Sequence, residues 1–481
     1  MTSPVRLCAT IDTIAITKNA TKRTLPIMTA LAAIPPKPET AATSANTKKT
    51  TAQYNMTNSF RSDAMRIDRS KNSTLGAKAS LACCAVLALG CSESWHTGPT
   101  VLADPRDVAA ALGDPPPNAD AAVADLPHLG LPHHDRFCCA FGMDMQVDFA
   151  GMHVPFFQVS NVISTDQLGD HVYDLPSGTI DGEPNGLIYT CRGGWIDTAH
   201  VREDADLVLY LALAMAPTLA TGTTIEIPGR GAPTTVVIAP VPADLLRREG
   251  ALTIASELAS WAAFRISVWH EVSTWYGYQS VAGFSERPSA FSLEDLYSNE
   301  LGIHLARAIL DEHGFHDQSD YDHVIAAFLE EALIRLDAQP LETSRAIMGA
   351  LDGRWWDSTE RLPDNHLVRR RHFPPDGGQL TPWRAEDAFG AGDVPEPLAS
   401  ACRGAETRPL SLTTHIGRVA PRELVTITWA PEGWADATFP FADPARRIVE
   451  ERDLDRIVAE AHAGLEADLG AGFDQPGPLP N

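Results

Sequence analysis

Three short stretches of this sequence combine carboxylates with histidine, hydroxyl or amide side chains on segments whose neighbouring positions are apolar. Unexplained charge in such surroundings is the usual mark of proton transfer or metal binding. The first is Cys191-Arg-Gly-Gly-Trp-Ile-Asp-Thr-Ala-His-Val-Arg202. On a helix, Asp197, His200 and Asp204 fall at i, i+3 and i+7 and share a face with Leu207, Val208 and Leu211, which turns His200 inward. The plainer alternative has Asp197 capping the helix and His200 bonded to a backbone carbonyl.

The second stretch is Trp269-His-Glu-Val-Ser-Thr-Trp-Tyr-Gly277, where Glu271 lies on the apolar stripe of Phe264, Val268 and Trp275. Burial there would suit Glu271 to general acid or base work, with His270 beside it as metal ligand or proton carrier. Thr274 occupies the position of the second histidine of H-E-x-x-H, so this is not the zincin helix. An ion pair from Glu271 to Arg202 or Arg265 is the structural alternative. The third stretch, Phe291-Ser-Leu-Glu-Asp-Leu-Tyr-Ser-Asn-Glu-Leu-Gly302, aligns Asp295, Ser298, Asn299 and Gly302 on one helix face, with the glycine permitting close approach. A buried polar stripe without chemistry explains the same pattern.

Taken together, these residues give a candidate site with Glu271 as general base, His200 and His270 as metal ligands or proton carriers, and Asp197 or Asp295 completing it. Arg202, Trp275, Tyr276 and Asn299 are candidates for substrate binding. The implied cofactor is a divalent metal such as zinc. The competing reading is a non-catalytic protein that binds a cell-wall or protein partner.

With Arg136-Phe-Cys-Cys-Ala-Phe-Gly142 ahead of them, the three stretches resemble the bacterial family known as domain of unknown function 4056, from about Arg136 to beyond Gly302 and on to Arg369-Arg-Arg-His372. The resemblance implies an envelope protein and carries no catalytic assignment.

The elements that must position these residues read as an α+β domain with a helical core and β-hairpins. Helical periodicity spans Thr198 to Met215, Ala251 to Tyr276, Leu293 to His313, Asp322 to Leu336 and Glu342 to Leu351. Ser292 and Asp295 have the spacing of a capping box, and Gly277 and Gly314 sit where helices would stop. Strand signals cover Met145 to Phe149, Val154 to Val159, Thr223 to Ile227 and Thr234 to Ala239.

Ahead of the domain, Ala79-Ser-Leu-Ala-Cys-Cys-Ala-Val-Leu-Ala-Leu-Gly90 follows Arg66, Arg69, Lys71 and Lys78 and precedes Cys91, the order of a bacterial lipoprotein signal. Its apolar run is too short to span a bilayer, which takes about 20 residues. The segment predicts export to the cell envelope, lipidation at Cys91, and a membrane-anchored protein facing the periplasm. Residues 1–64 read as a misassigned start or disordered extension, with translation from Met65 or Met56. Residues 65–91 are the signal, 92–131 an Ala/Asp/Pro-rich tether with a weak helix at Pro105 to Leu112, 132–450 a single large domain, and 451–481 a C-terminal helix and disordered tail.

Composition narrows the chemistry further. Beyond Gly90 there are 26 basic against 58 acidic residues, and every lysine lies at or before Lys78. That excludes lysine Schiff-base chemistry and a lysine-dependent phosphate loop from the domain, and an acidic surface repels nucleic acid. Of the cysteines past Cys91, adjacent Cys138 and Cys139 are poorly placed to pair with each other, so any disulfides join them to Cys191 and Cys402; buried free thiols are the alternative, and a four-cysteine zinc site lacks the C-x-x-C spacing. Trp355-Trp356 and the stretch from His366 to His372 could line a groove for sugars or acidic groups, although surface anchoring of those side chains is the commoner arrangement.

Overall fold

A computed structural model of the chain describes residues 126–132, 136, 140–149, 152–173, 183–229, 231–279, 285–390, 393–431 and 447–478. The export signal with Cys91, the start at Met56 or Met65, the helix at Pro105 to Leu112, and Cys138 and Cys139 lie outside these residues. Among the described residues the fold is α+β in a single domain.

In chain order it begins with β1 (Met145–Phe149), β2 (Met152–Val159), β3 (Leu187–Thr190) and β4 (Gly194–Asp197). The middle is largely helical, with α1 (Thr198–Met215), β5 (Thr223–Ile227), β6 (Thr234–Ile238), α2 (Ala243–Glu249), α3 (Ala251–Trp275), α4 (Asp295–Ala308), α5 (Gln318–Arg335) and α6 (Leu341–Ala350). It closes with β7 (Arg361–Leu362), β8 (Gln379–Leu380), α7 (Leu398–Ala401), β9 (Leu410–Ser411), β10 (Val425–Trp429), β11 (Ile448–Val449) and α8 (Asp455–Leu469). No described helix is long and apolar enough to cross a membrane.

The framework is the packing of α1, α3 and α4. Helix α1 is buried along almost its whole length, with only Tyr210 and Ala214 partly exposed. It is therefore a central helix, and an all-round burial of this kind demands that each of its charged residues find a partner inside. Gly302 of α4 meets α1 so closely that a Cβ there would stand 2.1 Å from the Val201 carbonyl oxygen. Only glycine permits that approach, which explains its presence in a helix interior where it costs about 1 kcal/mol relative to alanine.

A four-stranded sheet ordered β11-β10-β6-β5 covers the helices, and Trp429 of β10 stacks on Trp269 of α3 with ring centroids 4.8 Å apart. The hairpin tip between β5 and β6 reaches α3 as well, since a Cβ on Gly231 would lie 2.0 Å from Ser273 Oγ. A second core gathers Phe141, Tyr189, Trp195, Trp355, Trp356 and Trp383. The disulfide joining Cys191 to Cys402 ties two distant parts of the chain beside it.

The expected helices and strands are present within a few residues of their expected ends, and several other expectations are corrected. Helix α5 starts earlier, at Gln318, because Asp317 caps it by accepting from the Asp320 N–H. The Ser292–Asp295 capping box does not form, because α4 begins at Asp295 and the Ser292 hydroxyl donates to Glu294 Oε2 at 2.7 Å. The hairpin of β3 and β4 carries no polar alternation, being buried at every position, and so has no period-2 signal to read.

The pairing of Cys191 with Cys402 rules out the expected bridges from either of them to Cys138 or Cys139. Trp355 and Trp356 are core residues, and Arg370 and Arg371 are buried, so no groove or surface anchoring is formed by them. The domain also extends past both expected boundaries. Leu129 is buried at one end, while at the other Ile457, Ala461 and Leu465 of α8 enter the main core. The tail, expected to be disordered, is described to Pro478 and is held by Arg371 N–H to Phe473 O, Trp355 Nε1 to Pro476 O and Arg370 to the carbonyls of Gly472 and Gly477. Buried arginines need acceptors, and the tail carbonyls supply them.

Replacing Gly302 by alanine forces α1 and α4 apart at the Val201 contact. The expected loss is about 1–3 kcal/mol of stability, the cost of an overpacked core site, and denaturant unfolding read by tryptophan fluorescence measures it.

Candidate metal centre

The N-terminus of α1 brings His200 in from one side. Asp197 caps this helix, its carboxylate accepting from the Ala199 N–H at 2.8 Å, and His200 follows in the first turn. Glu271 comes from the last turns of α3, and Asp295 is the first residue of α4. His200, Glu271 and Asp295 each offer a ligand atom, and these atoms lie within 4.8 Å of one another. His200 Nε2 is 3.3 Å from Asp295 Oδ1. Two ligands of a tetrahedral zinc ion, each about 2.0–2.1 Å from the metal, stand about 3.3 Å apart, so the His200–Asp295 pair has that spacing.

All three residues are buried, Asp295 completely. Glu271 Oε2 accepts from the Phe291 N–H at 2.6 Å, which fixes that carboxylate. Neither oxygen of Asp295 has a hydrogen-bond partner of proper geometry among the described residues. His200 Nε2 lies 3.3 Å from Oδ1 and the Glu271 carboxyl is within hydrogen-bonding reach, so a shared proton relieves the buried charge, as a cation would.

The electrostatics agree with this. Burial, then the charges of Glu271, Glu294 and Asp197, hold the Asp295 carboxyl well above the usual range for aspartate. Burial pushes Glu294 up to about 8 against the bond from Ser292, with Asp197 adding to the rise. For His200, burial opposes the charge, but Asp197, Glu271, Glu203 and Asp204 outweigh it and the pKa is raised. The nearby arginine is Arg371, drawn down to about 10 by burial although Asp295, Glu294 and Glu271 favour its charge. Its bonds go to the carbonyl oxygens of Pro288 and Asn365, and its Nε has no partner among the described residues.

Behind His200 stands a second layer. The Asn299 amide reaches its Nδ1 at 2.8 Å and Asp204 Oδ2 at 3.0 Å. The other oxygen of Asp204 accepts from the Ser267 hydroxyl at 2.5 Å. Ser298 accepts from the Asp197 N–H and donates to the Glu294 carbonyl, locking α4 to the cap of α1. Metal-bound histidines characteristically donate from the ring nitrogen away from the ion to an acceptor, whereas here an amide nitrogen faces His200 Nδ1.

The structure thus regroups the residues singled out from sequence. His200, Glu271, Asp295 and Asn299 meet, with Asp197 adjoining. Half-buried His270 stays outside the trio, its ring 6.5 Å from that of His200, centroid to centroid, and its Nδ1 without a hydrogen-bond partner among the described residues. Arg265 pairs with Glu450 and Asp455, so the alternative of an ion pair to Glu271 fails.

Arg202 is not at the site, because its guanidinium serves the Pro184 and Gly169 carbonyls and Asn185 Oδ1. Trp275 packs under the Arg287 guanidinium, 4.5 Å from the ring centroid, and against Gly464 of α8, while Tyr276 is buried at the end of α3. Neither a packed tryptophan nor a helix-capping tyrosine is available to a substrate. Sequence reasoning missed Glu294, Ser267 and Arg371 as parts of the site. The run of three arginines was visible, but nothing in it distinguishes the buried members from a surface patch.

A second buried network uses the remaining charges of α1. His171 lies between Glu183 Oε1 and Asp206 Oδ1, 3.0 Å from each, while Arg136 binds Glu183 at 2.5 Å and Asp206 at 2.9 Å. The Tyr321 hydroxyl donates to Asp206 at 2.8 Å, and Asp322 lies 3.7 Å from the imidazole. Here cations and anions balance, which is what the site at His200 lacks.

Residues 126–383, more than half of the chain, match the family described as a protein of unknown function, DUF4056, and the chain belongs to that family. The match spans the whole centre, Arg371 included. No curated protein and no solved structure matches the chain.

Burial opposes charge on His171, but Asp206 and Glu183 outweigh it and its pKa is raised. The stabilisation is therefore complete below the ordinary histidine pKa of about 6.5 and is lost as pH rises through the raised folded value. His171→Gln should cost about 3–5 kcal/mol at mildly acidic pH, the range for breaking a buried ion pair. Paired unfolding curves at rising pH should show that difference shrinking, and a constant difference would mean that folding does not shift the imidazole pKa.

Proposed function

We propose that this protein is an exported, metal-dependent hydrolase of the cell envelope, with His200, Glu271 and Asp295 as ligands to one divalent ion. The observation that carries this reading is the convergence of those three buried side chains from three helices, with the Asp295 carboxyl crowded by neighbouring acids. Imidazole and carboxylate donors suit zinc, and manganese or iron next. Three protein ligands leave a fourth position for water, and a bound metal lowers the pKa of such a water to about 7, giving a nucleophile at neutral pH. In this arrangement Glu271 acts as a ligand, and His270, close by and half-exposed, is the proton carrier.

Export rests on the signal-like segment ending at Cys91, which would also anchor the protein by a lipid. The disulfide supports it, since such bonds belong to oxidising compartments. The near-complete burial of the ligands favours a second reading, a metal that braces three helices without catalysis.

Metal analysis and zinc titration of the purified full chain test the centre. One equivalent is expected in the wild type, with affinity lowered by about 100-fold or more in His200→Ala and Asp295→Asn, as for loss of a ligand worth more than a supporting residue. Failure of the wild type to bind zinc, manganese or iron would remove the metal reading. Stoichiometric metal without turnover of ester, amide or phosphoester substrates from the envelope would leave the bracing role.

A further inference from the structure

The amide of Asn299 faces three groups at once. The atom concerned lies 2.8 Å from His200 Nδ1, 3.0 Å from Asp204 Oδ2 and 3.3 Å from the Asp295 carbonyl oxygen. A carboxylate and a carbonyl can only accept, so the amide nitrogen must occupy this place and donate. Asp204 is itself fixed, because its other oxygen takes the Ser267 hydroxyl at 2.5 Å. Receiving a hydrogen bond at Nδ1, neutral His200 carries its proton on Nε2, the nitrogen 3.3 Å from Asp295 Oδ1.

That is the wrong tautomer for a metal. Ligation through Nε2 needs the lone pair there and the proton on Nδ1, facing an acceptor. Asn299 can supply one by turning its amide over, which sets its oxygen against Nδ1 and breaks the bond to Asp204. We propose that Asn299 is the tautomer selector of His200. The Ser267–Asp204–Asn299 relay favours a proton on Nε2 of His200, and metal ligation through Nε2 would require the Asn299 amide to turn over. The inference rests on the metal reading for its consequence, although the tautomer itself can be observed without metal.

Nitrogen-15 correlation spectra of the metal-free full chain, taken at alkaline pH where the ring is neutral, report the tautomer directly. The expected wild-type result is a proton on Nε2. Exchanging the two partners, Asn299→Asp together with Asp204→Asn, keeps a donor and an acceptor in contact but gives Nδ1 a carboxylate. The proton should move to Nδ1, and zinc affinity should rise by about 10-fold, within the range of supporting-residue effects.

Asn299→Leu removes both options and should weaken zinc by about 10–100-fold. A wild-type proton on Nδ1 would overturn the proposal, as would an exchanged pair that binds zinc as weakly as the leucine variant. If the tautomer moves in the exchanged pair while no form binds metal, the selector stands and the metal-centre reading falls.

Discussion

Helix α1 has to be buried on nearly every side while carrying His200, Arg202, Glu203, Asp204 and Asp206, and the rest of the interior is arranged around that demand. Isolated charge inside a protein costs several kcal/mol per group even after relaxation. One part of the helix meets the demand with protein alone. Arg136 and His171 answer Glu183 and Asp206, and Arg202 is absorbed by carbonyls and an asparagine. Near His200 the protein falls short. Asp197, Glu271, Glu294 and Asp295 gather there, with Arg371 as cationic neighbour. The raised pKa values of Glu294 and Asp295 are the mark of that shortfall, which protonation of these carboxyls relieves first.

Backbone geometry explains why the shortfall is tolerated at this point. Asp197 and Asp295 both lie at helix N-termini, where peptide dipoles favour negative charge. The approach permitted by Gly302 then brings these two ends together, so that one glycine contact, the Ser298 bonds and the cap of α1 jointly define the distance from His200 to Asp295. Arg371 and His372 brace the turn that leads into α4, through Arg371 to the Pro288 carbonyl and the His372 N–H to the Phe291 carbonyl. The N–H of that same Phe291 holds Glu271. The positions of His200, Glu271 and Asp295 are therefore set by rigid elements, as a preorganised site needs.

Much of this was legible in the sequence because the helices are long and periodic. The three polar stretches stood out as charge among apolar neighbours, and their convergence followed once α1, α3 and α4 packed together. What the sequence concealed was long-range pairing. Nothing local separates Arg371, buried beside carboxylates, from Arg369, which pairs with Asp357 nearer the surface. Nothing local says that Cys191 should find Cys402 across 211 residues, or that the proline-rich tail should dock as acceptor for Arg370. Arg202 and Trp275 were misplaced for the same reason: a charged or aromatic residue near a site on the chain can point into a different network in space.

The exposure of the ligands limits how such a centre could act. Asp295 is sealed and Glu271 is 2 % exposed, whereas the His200 side chain retains 8 %. The remaining opening is thus at the imidazole edge, where half-buried His270 lies against the His200 ring. A molecule reaching the centre by this edge would meet two imidazoles before any carboxylate. On the metal reading proposed above, the sealed carboxylates would hold the charge of an ion, and half-buried His270, outside the trio, would be the group placed to exchange a proton.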